Sequence, residues 1–180
     1  MSQHGRTIRE EASNAITHLP VGCYACYELL DGNSNAIFLL FSALTFFFSF
    51  LYHITRYGVY KTIFRRLDIA SIFWLVAASV FAFLPAFVGL PVLVLCFLLS
   101  IPVVKTGTST IFTDSALIIL TIACFMLTVV FSQQWPIIGL GVLFYGCGLP
   151  FYFKDETKWA HLIWHLFVIA GWLTHLWAHL

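Results

Sequence analysis

From Ile69 to Val104 no charged side chain and no histidine interrupts the chain. As one helix at 1.5 Å per residue this run would form a rod of about 54 Å, against a bilayer hydrocarbon core of about 30 Å. A membrane accommodates it only as two helices with a tight turn, and Pro85, Gly89 and Pro91 supply the interruption. The remainder has the same character: of 180 residues, 61% are hydrophobic and 9% charged, with a mean hydropathy of +0.92. Soluble domains carry about 25% charged residues, so this chain has too few to cover a water-facing surface. The expectation is one integral membrane domain with no room for a soluble one, and nothing points to nucleic acid as a partner.

Apolar runs between polar breaks predict an all-α bundle of seven transmembrane helices, near residues 11–30, 36–55, 68–84, 86–104, 115–132, 135–153 and 158–180, after a polar tail over 1–10. The breaks suit turns: Asp31-Gly32-Asn33-Ser34-Asn35, Thr106-Gly107-Thr108-Ser109, Ser132-Gln133-Gln134 and Lys154-Asp155-Glu156-Thr157. No cleavable signal peptide is expected, because Met1–Ser13 is polar and His18 and Glu28 interrupt the first apolar stretch. Alternating seven spans puts Arg6, Arg9, Arg56, Lys61, Arg65, Arg66, Lys105, Lys154 and Lys158, all nine basic residues, on one side. By the positive-inside rule that side is cytoplasmic, with the N-terminus inside and the C-terminus outside. Fusing the third and fourth helices would put Lys105 opposite the Arg56–Arg66 cluster.

Ionisable residues within membrane helices are expensive and mark function. Here they gather at the cytoplasmic ends. Asn14 and His18, Ser49 and His53, and His161 and His165 are each i,i+4 pairs sharing a helical face, and Asp68 opens the predicted third helix. Catalytic zinc commonly takes three protein ligands and keeps a fourth position open. His161-x-x-x-His165 supplies two ligands about 40° apart around one helix, and His53 supplies a third at the same depth. Other divalent metals suit three imidazoles too, but zinc is the usual ion of a redox-silent hydrolytic site. Asp68 is placed to hydrogen-bond water at the metal and take its proton, and Ser49 to support an oxygen there. Blander roles stand beside these. His53 suits an interface next to Arg56, Asp68 suits a helix cap, and Asn14 a helix–helix hydrogen bond. His175 lies about 15 Å beyond His165, too far to share its ion. With His179, beside Trp172 and Trp177, it is expected at the membrane interface. Cys23-x-x-Cys26 has no second cysteine pair to complete a metal or redox site and reads as small helix residues.

In this order, Glu11-Ala-Ser-Asn14-Ala-Ile-Thr17-His18, Ser49-x-x-Tyr52-His53 followed by Leu67-Asp68, and His161-x-x-x-His165 with the downstream His175 resemble the haemolysin III branch of the progestin and adipoQ receptor (PAQR) superfamily. The resemblance covers nearly the whole chain. It implies a seven-helix bundle in a bacterial-type inner membrane, with zinc held near the cytoplasmic face by His53, His161 and His165. It also implies that Asp68 and Ser49 serve the metal's water. The wider superfamily, related to alkaline ceramidases, includes lipid amide hydrolases, so membrane lipids and a ceramide-like or other acyl-chain substrate are the implied partners. Leu19-Pro20-Val21-Gly22 departs from the family, whose members usually place a glycine directly after the histidine. Two functions remain open here: zinc-dependent hydrolysis of a lipid amide or ester, or a non-enzymatic membrane sensor with structural zinc. No secretion signal or amphipathic insertion hairpin supports a pore-forming haemolysin.

Overall fold

The computed structural model describes residues 6–32, 35–106, 111–154 and 156–178, with 111–113 by backbone alone. His4, His179 and parts of the predicted turns (Asn33, Ser34, Gly107 to Ser109 and Asp155) lie outside the described residues. The described residues form seven helices and no strand: α1 Ile8–Leu30, α2 Ala36–Ile54, α3 Val59–Phe83, α4 Ala86–Thr106, α5 Ile111–Phe131, α6 Trp135–Phe153 and α7 Ala160–Trp177. α2, α3, α4, α6 and the Asp114–Phe131 stretch of α5 are long and apolar enough to cross a membrane. This is an all-α membrane protein. α1 and α7 carry most of the polar side chains expected inside the bundle.

Thr7 caps α1 through a capping box, accepting from the Glu10 backbone N–H while the Glu10 carboxylate accepts from that of Thr7. α1 then runs unbroken through Pro20. Its buried Glu11, Asn14, His18, Gly22 and Ala25 recur at three- and four-residue steps, forming one inward stripe. α2 ends at Thr55, and the chain turns at Gly58, whose φ of 92° favours glycine. α3 starts nine residues earlier than the apolar pattern predicts, at Val59 rather than Asp68. The basic stretch is helical because Lys61 folds back, donating to the Tyr52 carbonyl at 2.7 Å and lying 4.0 Å above the Tyr52 ring. Asp68 is therefore inside a helix and cannot be its N-cap.

Two apolar clusters hold the bundle. Phe38, Leu39, Ala43 and Phe46 of α2 pack with Ala25 of α1, Leu75 of α3 and Trp172 of α7. Trp172 also donates to the Ser42 hydroxyl at 2.8 Å. The second cluster joins Phe73, Ala77 and Val80 of α3 to Cys96 and Val103 of α4 and Leu120 and Cys124 of α5. Along α6 and α7, glycines let the backbones approach: a Cβ on Gly148 would meet Trp164 and Phe167, and one on Gly171 would meet Tyr145. This seam overturns the interfacial placement of His175. Its ring occupies the space left by Gly141, is 6% exposed, and approaches the Ile138 carbonyl at 3.2 Å through Nε2. A histidine near a helix end is drawn inside because glycine leaves room and a backbone carbonyl meets one of its ring nitrogens.

Candidate metal centre

Three helices bring their polar ends together. α1 and α2 are antiparallel, so Glu11 faces His53. α1 and α7 run side by side from the same end, tied by the Trp159 backbone N–H donating to Glu10 Oε1 at 3.0 Å. Trp159 caps α7 in the left-handed region, with φ 65°, and this turn aims the first helical turns of α7 at α2. The ligand atoms of His53, His161 and His165 lie within 4.8 Å of one another, and Nε2 of His161 is 3.2 Å from Nε2 of His53. Tetrahedral zinc with Zn–N bonds of about 2.0–2.1 Å holds its nitrogens about 3.3 Å apart, so small side-chain movements close the set. The three histidines form a cluster that can hold a metal ion.

The surroundings of the rings fix which nitrogens are free. Nδ1 of His53 lies 2.6 Å from Glu11 Oε2. Because a carboxylate only accepts, His53 donates its Nδ1–H and turns its Nε2 lone pair to the cluster. Nδ1 of His165 is 3.2 Å from Thr17 Oγ1. That hydroxyl spends its own proton on the Asn14 carbonyl at 2.7 Å, so it accepts from His165, whose Nε2 is likewise left free. Glu11 in turn is flanked by two cations, Lys61 Nζ at 3.5 Å and Arg6 Nη1 at 3.7 Å from Oε1. Buried charges persist when paired in this way.

Glu11, Thr17 and Lys61 escaped assignment to the site from sequence. Glu11 looks like an ordinary first-turn acid, and Lys61 like a solvated headgroup cation. The available signals were that Glu11, Asn14 and His18 share a helical face and that Glu11 and Thr17 belong to the motif carrying the family resemblance. Glu11→Gln is expected to weaken metal affinity by about 10–100-fold, as loss of the carboxylate behind a ligating histidine commonly does. Competition with a chromophoric chelator, on protein checked to be folded, measures this. A change under about threefold would remove Glu11 from the role.

The other predicted residues are distributed around the cluster. Ser49, 2% exposed, lies one turn before His53 and close to the Asp68 carboxylate. Asp68 is half-buried on α3, with Arg6, Lys61 and Arg65 as surrounding cations. It is not one of the three converging ligands. His18 lies against His165 with ring centroids 3.8 Å apart, and Asn14 is buried on the same face of α1. Cys23 and Cys26 are free and take no part. No family model matches the chain, and no curated protein matches it.

Proposed function

We propose that the chain is a haemolysin III-type membrane protein of the PAQR superfamily that holds zinc at His53, His161 and His165 and hydrolyses an amide or ester bond of a membrane lipid. The observation that carries this reading is the donor set. Three imidazoles converge, and two of them, His53 and His165, have the opposite nitrogen engaged by Glu11 and Thr17. Among the described residues the cluster includes no fourth His, Cys, Asp or Glu. Three ligands with a free position favour chemistry, whereas structural zinc sites are closed by four.

When bound, the ion supplies Lewis acidity toward a carbonyl and makes water acidic enough to react near neutral pH. The protein's part is positional. Asp68, with Ser49 close by, has carboxylate lone pairs with which to take a proton from attacking water. Returning that proton to the departing nitrogen or oxygen completes hydrolysis. Glu11 and Thr17 fix the tautomers of their histidines. α1, about 35 Å long for its 23 residues, and α7 complete seven spans, with their polar faces turned inward. The clustering of basic residues at the histidine end supports a site near the cytoplasmic face, and the family reading a bacterial-type inner membrane.

Purified protein is expected to release fatty acid from N-acyl or O-acyl lipids in mixed micelles. The release should stop on treatment with a chelator and return with stoichiometric zinc. Zinc-loaded protein that cleaves neither class would contradict the enzymatic reading and leave zinc a structural role in a membrane sensor.

A further inference from the structure

Beside the cluster, two polar side chains of α1 are deeply buried yet unused by it. Asn14 is 1% exposed and His18 5%. Oδ1 and Nδ2 of Asn14, and both ring nitrogens of His18, meet no hydrogen-bond partner among the described residues. This contrasts with His53 and His165, each of which has its Nδ1 engaged. Inside a membrane bundle water is scarce, so hydrogen-bonding positions left empty are costly. A residue kept only to fill this space would do better apolar, as Ala15 and Ala25 of the same helix are.

The geometry separates His18 from the ligands. Its ring is stacked on His165 at 3.8 Å between centroids and 12° between planes. In near-parallel stacked rings the in-plane lone pairs lie in separate planes, so the two rings do not address one point. An ion in line with His165 at about 2.0–2.1 Å is therefore out of line for His18, which is absent from the converging set. His18 thus lies beside the ligand set rather than within it, against His165. Asn14 sits one turn away on the same helical face.

We infer that Asn14 and His18 form a ligand-recognition pair beside the metal, taking an uncharged group that both donates and accepts hydrogen bonds, such as a hydroxyl or a secondary amide. The inference rests on the metal-site reading above. The asparagine amide offers donors and an acceptor, and an imidazole one of each. A carboxylate would satisfy only the donors. A hydroxyl or a secondary amide satisfies both kinds, so the pair discriminates by hydrogen-bond type rather than by charge. Both are positioning residues, acting on the ligand's polar group rather than on the metal.

The test uses the full-length, zinc-loaded protein in detergent with two probes of equal chain length, lauroyl hydroxamic acid and laurate. Both present a metal-binding head, but only the hydroxamate adds an N–H donor. Calorimetric titration gives the hydroxamate-to-laurate affinity ratio. His18→Phe keeps the stack on His165 and the edge contact with Phe46 while removing the nitrogens, and Asn14→Leu is close to isosteric. Each is expected to lower the ratio about tenfold with zinc still at one per chain. An unchanged ratio with zinc intact would overturn the proposal, leaving the pair to bound water or packing alone. Loss of zinc in His18→Phe would overturn it differently, by making His18 part of the metal shell. Zinc content is read before any probe is added. A wild type without zinc thus defeats the metal reading and the inference with it, and is distinguishable from failure of the pair alone. The two variants change separate positions, so misfolding of one leaves the other to decide.

Discussion

His165→Ala is expected to purify without bound metal. The side chain is 2% exposed and supplies one of the three converging nitrogens. Its removal leaves two of the three converging nitrogens and also deletes the ring on which His18 stacks. The loss of affinity should exceed the 10–100-fold typical of changes behind a ligand. His175→Ala is the matched control, being buried to a similar degree at 6% but seated in the α6–α7 glycine seam. It should keep its metal while losing some stability. Elemental analysis of both proteins against wild type decides the matter, and equal metal in His165→Ala would remove that residue from the site.

Asp68→Asn should have the opposite signature: metal retained, hydrolysis reduced by about 10²–10⁴-fold, the usual contribution of a general base. Asparagine keeps the size of the side chain, but it cannot take a proton from water. Because Asp68 is outside the converging ligand set, its loss should not empty the site. Rates of fatty-acid release measured at equal zinc content isolate the effect. A variant with near-normal turnover would show that another group accepts the proton. Ser49→Ala, which removes only the hydroxyl near the carboxylate, should cost less.

Much of this architecture was legible in the chain itself. Polar breaks at Asp31-Gly32 and Ser132-Gln133-Gln134 fall between observed helices. His53, distant in sequence from His161, meets it because α1, α2 and α7 share one polar end. What was hidden lies where hydropathy is silent. A cation at a membrane boundary has the same sequence signature whether it is solvated or folded back, so Lys61 and the early start of α3 at Val59 were invisible. Glu11 is equally plausible as a helix-dipole acid until His53 is seen 2.6 Å away. His175 was misplaced because an aromatic-rich helix end suggests an interface, and the accommodating glycine, Gly141, belongs to another helix.

The central claim is that His53, His161 and His165 together bind one metal ion, and zinc K-edge X-ray absorption on purified wild-type protein of known metal content tests it most directly. About one zinc per chain is expected in a shell of light atoms at about 2.0–2.1 Å, with an imidazole scattering pattern fitted by three histidines. Protein that stays metal-free after zinc exposure, or a zinc shell dominated by sulfur at about 2.3 Å, would contradict it.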